Sequence, residues 1–486
     1  MPPESSRDRS VERFLPWLVA VAYFMEALDA TILNTAVPAI AGTMRVAPLG
    51  VKGALTSYTL SLAVFIPVSG WVADRYGTRR VFSAAIGIFT FGSLLCGLSN
   101  SMPMLVASRV LQGCGGAMMV PVGRLTLVRT IPRSDLIRAM ALVSIPAMAA
   151  PLIGPLAGGL IVVYLHWRYI FLLNLPIGLL GLYLVHLYLP DYRGERTAPL
   201  DFIGFALFSS SIALLSYALE IFGENTLSGP EVAGLVAIAI LLLLAYWRYS
   251  LTTDWPLLRL NLLRIRTFRT SVVGAFVTRL GVGGMPFLLP LLYQVGLGYS
   301  PVQSGLLIMP KPLAAMTLKM TMPWVLARFG YRRVLLSNTV IFGLIIALFA
   351  TIGPSTPVWM IVIQVFCFGY FSSLQYTSMN TLVYADLPDR DINMGITIAS
   401  AFQQLSMSFG IGVSFLTTAL FVGDPQHSGA LEMVAGIHKA LVALGALTVA
   451  SAFIFLQLRP RDGASVSRHR AEESWPPPDR DLAVTE

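Results

Sequence analysis

The chain has 486 residues, of which 55% are hydrophobic and 12% charged, with a mean hydropathy of +0.71. A water-soluble protein of that composition would expose large apolar patches, so the sequence is that of an integral membrane protein whose first partner is the lipid bilayer. A net charge of +9 and a pI near 9.6 would suit a nucleic-acid partner only if the basic residues clustered with stacking aromatics on one solvated face; they are spread through short loops, which excludes nucleic acid.

Fourteen apolar runs follow in chain order, near 14–37, 50–73, 80–99, 103–124, 138–163, 168–189, 202–222, 230–250, 270–293, 302–326, 333–352, 356–384, 394–421 and 437–458. Each is long enough for the roughly 20 residues a spanning helix needs. The expected fold class is all-α, a polytopic bundle of fourteen transmembrane helices. Most of the 34 Lys and Arg fall in loops on the side of the N-terminus. Lys and Arg accumulate on the cytoplasmic side of short membrane loops, so both termini are expected in the cytoplasm and the chain in the inner membrane. The first run is too long for a signal-peptide core and carries two acids, so it reads as a helix that is kept.

In that first helix, "FMEALDATILNTAVP" places Glu26 and Asp29 three residues apart on neighbouring positions of one face. Counted at 1.5 Å per residue, Asp29 lies about 12 Å and Glu26 about 16 Å from the far end of the helix. A charge at that depth costs about 2.5–3.5 kcal/mol on the insertion scale, so ionisable groups there point to function. The next loop, "GWVADRYGTRR", gathers Gly70, Asp74, Arg75, Gly77 and Arg79 in a tight turn. Asp74 can tie neighbouring helix ends by bonds that break as the protein moves. By itself the loop also satisfies the positive-inside rule.

Arg109 in the fourth helix lies about 9 Å from its far end, a depth similar to that of Asp29. The two can form a static pair that holds two helices together, or a carboxylate poised to carry protons beside a cation. Glu26, with no evident partner, is the candidate for meeting a cationic substrate or for sharing the proton coupling with Asp29 and Arg109. In the fifth helix, "SIPAMAAPLIGPLAGGLIV" crowds Pro146, Pro151 and Pro155 with Gly154, Gly158 and Gly159. Small residues four apart allow close helix contact and prolines bend the helix, so the segment reads as a hinge or seal. Arg279 and Lys311 in the second half, with Asn34, Gln112 and Glu26 in the first, are expected to face a shared substrate cavity. Lys319 lies near a helix end, where it can snorkel.

The stretch "WVADRYGTRRVF" returns 253 residues later as "WVLARFGYRRVL", with Ala327 in the place of Asp74. Two parallel six-helix halves result, 14–189 and 270–458, separated by a linker at 190–269 that holds two extra helices. They are flanked by a cytoplasmic tail at 1–13 and a polar, Pro-rich, disordered tail at 459–486. Parallel repeats put a substrate path at their interface, where one half can rock against the other. The expected partners are therefore a small-molecule substrate and protons, handled by a monomer.

Cys96, Cys114 and Cys367 are odd in number and scattered, and the five His lack ligand spacing, so neither a disulfide framework nor a metal is expected. No cofactor is implied, and no G-x-x-x-x-G-K-S/T loop for ATP occurs. An enzyme would need a motif such as H-E-x-x-H and a receptor a folded soluble domain; the sequence carries neither, so it reads as no enzyme.

Together these residues resemble the major facilitator superfamily, and within it the fourteen-helix drug:proton antiporter branch. The family loop motif G-x-L-a-D-r-x-G-r-k matches Gly70, Asp74, Arg75, Gly77 and Arg79, with Val72 and Thr78 as departures. The fourth-helix motif R-x-x-q-G-x-g matches Arg109, Gln112, Gly113 and Gly115, and the first-helix motif matches "LDATILNTAVP" from Leu28 to Pro38. The fifth-helix antiporter motif matches Gly154, Pro155, Gly158 and Gly159, with Ala150 for its leading Gly. The resemblance implies proton-coupled export of small amphipathic compounds, with Arg109 in proton coupling. A symporter or exporter of one metabolite is the alternative within transport.

Overall fold

The computed structural model describes residues 5–131, 133–189, 191–193, 199–221, 229–388, 391–422 and 430–463. Its helices begin with α1, made of Ser5–Ile32 and Val37–Met44 joined by a 3-10 turn at Leu33–Ala36. Then come α2 (Lys52–Tyr76), α3 (Thr78–Leu98), α4 (Met102–Thr130), α5 (Arg133–Tyr164) and α6, the last built from Tyr169–Leu172 and Asn174–Tyr188. The linker carries α7 (Phe202–Ile221) and α8 (Gly229–Thr252). The second half holds α9 (Arg266–Val282, Met285–Leu291 and a π turn at Leu292–Gly296), α10 (301–329) and α11 (331–351). It closes with α12 (Val358–Leu382), α13 (Ile392–Val422) and α14 (Ala430–Ala450, ending in the turn Ala452–Phe455). No strand occurs among the described residues.

Local chemistry sets several of these boundaries. Ser101 accepts a bond from the Met104 amide and Pro103 follows it, which starts α4; Ser300 and Gln303 form a reciprocal capping box ahead of Pro301, which starts α10. Among the described residues, twelve helices are long and apolar enough to cross a membrane. The two remaining expected spans fall on α5, whose apolar stretch Ala149–Tyr164 is shorter, and on α10. The chain is a multi-pass membrane protein.

The repeat seen in the sequence has a backbone counterpart. Gly77 separates α2 from α3 and Gly330 separates α10 from α11, and both hold positive φ, +94° and +70°. With ψ of 141° and 163° they sit in or beside a region that only glycine enters readily.

Two seams join the halves: α2 packs along α13, and α5 packs on the first turns of α10. At the end of the bundle away from the N-terminus, an apolar cluster draws Leu33, Ala36 and Val37 of α1 together with Met285, Leu288 and Leu289 of α9. Gln294 Nε2 donates to the Thr35 carbonyl across this closure at 3.2 Å. The two extra helices do not stand apart. α7 lies against both α2 and α13, where Phe208 and Ile212 enter the apolar cluster of that seam, and the Phe65 and Phe205 rings stand 5.9 Å apart. Asp201 anchors the linker by accepting from the Gly204 amide, Tyr249 Oη and the Leu257 amide at 2.7, 2.9 and 3.0 Å.

One departure concerns the C-terminal tail. Its first residues, 459–463, form turns, because Asp462 accepts two bonds from Arg266 at 2.9 and 2.6 Å and Gly463 lies against Tyr331. The remainder, from 464, lies outside the described residues, as does the N-terminal tail up to residue 4.

Candidate functional site

Asp29 projects from α1 into the middle of the first half, where Arg109 of α4 meets it. Arg109 Nη1 donates to Asp29 Oδ2 at 2.5 Å, and both side chains are almost wholly buried. The other Asp29 oxygen accepts from Gln112 Nε2 at 2.8 Å and from Asn174 Nδ2 of α6 at 3.2 Å. Ser93 of α3 accepts from the same two amides at 2.8 and 3.3 Å. Arg109 also donates to Gln112 Oε1 and, through Nε, to the Ala54 carbonyl of α2 at 3.1 Å. Five helices thus converge on one carboxylate and one guanidinium.

The guanidinium is also stacked. Its Cζ lies 4.2 Å from the centroid of the Tyr58 ring and 5.7 Å from that of Phe171. Desolvated cation–π contacts contribute about 2 kcal/mol, and charge-assisted bonds are about twice as strong as neutral ones. These terms offset the several kcal/mol that burying each ion costs.

Glycines bring the helices close enough for this network. A Cβ at Gly113 would meet the Tyr58 carbonyl oxygen of α2 at 2.8 Å, and one at Gly115 would strike the Phe89 amide of α3. In α5 the three motif glycines divide their work. Gly154 and Gly158 lie against Thr31 and the Ile32 carbonyl of α1, whereas a Cβ at Gly159 would come within 2.6 Å of the Pro301 carbonyl oxygen of α10. Gly305 of α10 returns the contact on the Pro155 carbonyl of α5. Pro151 and Pro155 line the cavity described next, and Thr35 Oγ1 donates to the Pro155 carbonyl at 3.2 Å.

Between the halves lies a cavity of about 410 Å³. Thr31, Asn34 and Thr35 of α1 line it on one side, and Lys311 of α10 with Phe368, Ser372, Ser373 and Tyr376 of α12 on the other. Asn34 and Lys311, two of the residues expected at a shared cavity, are among its lining residues. Gln112 is not: it is fully buried in the Asp29 cluster, because it stands one turn from Arg109 on the same face of α4. Arg279 stops behind the wall, its Cζ 4.5 Å from the ring centroid of the cavity-lining Tyr376. Glu26 is half-buried, does not line the cavity, and has no hydrogen-bond or ion-pair partner among the described residues. The two acids of α1 thus occupy different surroundings. Asn174, Ser93 and Tyr58 were not anticipated.

At the end of the bundle that holds the N-terminus, Asp74 pairs with Arg129 of α4 at 2.8 Å, within the same half. The Arg79 amide donates to Asp191 at 3.3 Å, and its guanidinium donates to the His186 carbonyl of α6. Arg75 and Gly70 are exposed, and a Cβ at Gly70 would meet open space. The loop is a brace between helix ends of one half.

The profile of the Major Facilitator Superfamily matches residues 19–411. The chain belongs to that superfamily. This facilitator is 40% identical over 411 residues to a Pectobacterium atrosepticum protein named "Putative multidrug resistance protein MdtD", covering 84% of this chain and 88% of the relative. It is 38% identical over 475 residues to the protein of that name from Escherichia coli, covering 96% and 98%. Its fold is that of solved facilitators. The peptide transporter POT in complex with sulfate aligns with a TM-score of 0.67 at 14% identity, covering 93% of this chain and 95% of that one. A bacterial homolog of the human lysosomal transporter Spinster aligns at 0.65 and 16%, covering 96% and 99%. In facilitators the path of a small molecule lies between the two halves.

Proposed function

We propose that the chain is a proton-coupled antiporter that exports small amphipathic compounds across the bacterial inner membrane, as a monomer with both termini in the cytoplasm. The multidrug names of its relatives support the export of such compounds. The observation that carries the coupling is the single Asp29 carboxylate, buried in the first half and bonded to Arg109, Gln112 and Asn174.

Protonation of Asp29 removes the negative partner of Arg109 and one acceptor of the two amides, which loosens α1 from α4 and α6. Thr31, Asn34 and Thr35 follow within two turns on α1 and line the cavity, the last two within the 3-10 turn at Leu33–Ala36. A proton taken at Asp29 therefore changes the cavity wall through one helix, and substrate binding at that wall acts back on Asp29 as reciprocity requires. Glu26, three residues nearer the N-terminus, is the acid through which a proton exchanges with water. The glycines of α5 keep α1 and α10 sealed against it so that protons do not leak along the central path.

Everted vesicles with a pH-sensitive dye test this reading. Adding a transported amphipath after the gradient forms is expected to release protons from the vesicle, and Asp29→Asn to abolish that release. Unchanged coupling in both Asp29→Asn and Arg109→Ala would overturn it.

A further inference from the structure

The charge of the cavity is opposite to what its nearest acids suggest. Among the described residues no Asp or Glu lines it, and the one ionisable lining group other than a tyrosine is Lys311. Glu26 stays outside, and the Asp29 charge is already met by Arg109 within the first half. Lys311 has neither an ion pair nor a hydrogen-bond partner among the described residues, and its Nζ lies 5.1 Å from the centroid of the Phe368 ring. Behind the same wall Arg279, stacked on Tyr376, also lacks a carboxylate among the described residues. Both cations stand in the second half, and the other polar groups that line the space beside Lys311 are hydroxyls and the Asn34 amide.

The backbone at Lys311 is also closely packed. A Cβ at Gly369 of α12 would come within 2.7 Å of the Lys311 Cα, so the glycine lets α12 press on the α10 backbone at this residue. An ammonium in a largely apolar cavity without a counter-ion is costly, and an ionisable group at membrane depth has a partner or a use. Here the missing partner arrives with the cargo.

We infer that the cavity selects organic anions: compounds with an apolar body, seated against Pro286, Ile308 and Tyr376, and one anionic oxygen group that takes up the unpaired ammonium of Lys311. The apolar lining supplies affinity and the ammonium supplies charge preference. A cationic amphipath in the same 410 Å³ meets a like charge with no acid nearby to offset it. This inference rests on the export reading for its physiological meaning, since it names the substrate class of that cavity. An anion leaving the cell also moves with an inside-negative potential rather than against it.

The test separates the two. Binding of tritiated 2-naphthoate and of its cationic counterpart, 2-naphthylmethylammonium, is measured on the full chain in nanodiscs by scintillation proximity, with empty nanodiscs subtracted. Wild-type protein is expected to prefer the anion. Losing the charge-assisted bond in Lys311→Gln is expected to weaken anion binding by about tenfold or more, and Lys311→Arg to keep most of it. Lys311→Glu is expected to reverse the preference. Thermal unfolding of each variant confirms that it is folded, and Lys311→Arg keeps the comparison valid where the neutral form is unstable.

Failure of folded wild-type protein to bind 2-naphthoate above empty discs, tighter binding of the cation, or anion affinity unchanged in Lys311→Gln would each overturn the inference. Transport is read separately in proteoliposomes. Charge-selective binding without proton-driven transport would sink the export reading and leave the anion site standing. Proton-driven transport of the cation with equal binding in Lys311→Gln would do the reverse.

Discussion

Gly77 and Gly330 occupy the same position in the two copies of the repeat, and both hold the chain at positive φ where it passes from one helix into the next. A Cβ at Gly77 would in addition collide with the Asp191 carboxylate, which the Arg79 amide also binds. Backbone strain of this kind costs about 1–3 kcal/mol for a residue with a side chain. Gly77→Ala and Gly330→Ala are therefore both expected to lower the thermal stability of the purified protein. Adding Asp191→Ala to Gly77→Ala should return part of the loss. Unchanged stability at either glycine, or no recovery on removing Asp191, would contradict this account.

The Asp29–Arg109 pair invites a double substitution. Asp29→Asn leaves a stacked guanidinium buried without a counter-charge, and breaking one side of a buried pair costs about 3–5 kcal/mol. Asp29→Asn with Arg109→Gln removes both charges and is expected to recover most of the stability. Proton-driven transport should remain absent in this stable double variant. A double variant that still couples would reduce the pair to a helix clamp.

Much of this site was legible in the sequence, and what was not has physical causes. Depth along α1 and α4 brought Asp29 and Arg109 together because helix rise is fixed, and the match survives in the 2.5 Å contact. Glu26 and Asp29 were harder to separate: three residues turn a helix by about 300°, so the two stand about 60° apart and either could have faced the bundle. Gln112 carried a usable signal, being one turn from Arg109, but its placement in the cavity ignored that shared face. Asn174 carried one too, as a lone amide in the apolar run "FLLNLP", where an unpaired polar group would be costly. Ser93 and Tyr58 carried none, because their roles depend on how α2 and α3 cross α4. The repeat placed Gly330 opposite Gly77, but nothing in the chain indicated that α7 would lie on the seam between α2 and α13.

Asp462 gives a pH dependence outside the membrane. Burial alone would raise its pKa, but bonds from Arg266 and the Arg459 amide and the charges of both arginines outweigh that, holding the carboxyl below its usual value. A carboxylate with a lower pKa folded than unfolded stabilises the fold above its unfolded pKa of about 3.9, and that contribution fades as pH falls through the folded value. The stability gap between wild type and Asp462→Asn should hold steady from about pH 7 to pH 5 and shrink below about pH 4. Melting temperatures of the two proteins across that range check it, and a gap that widens towards acid would be the wrong sign.

The α5–α10 contact yields a prediction about movement rather than stability. Gly159 and Gly305 are the points where the two halves touch backbone to backbone, each lying against a carbonyl of the other helix, while Gly154 and Gly158 face α1 inside the first half. Enlarging Gly159 to Val must push α10 away from α5 at the end remote from the N-terminus, since a carbonyl oxygen cannot rotate aside as a flexible side chain would. Enlarging Gly158 instead disturbs the fit of α1 against α5 beside Thr35 and leaves the inter-half contact alone. Spin labels placed at the exposed Leu160 and Leu306 are therefore expected to report a longer distance in Gly159→Val and an unchanged one in Gly158→Val, with transport lost in both. An unaltered distance in Gly159→Val would mean that α5 bends at Pro151 or Pro155 to absorb the added carbons, and that its glycines serve packing within one half rather than closure between the two.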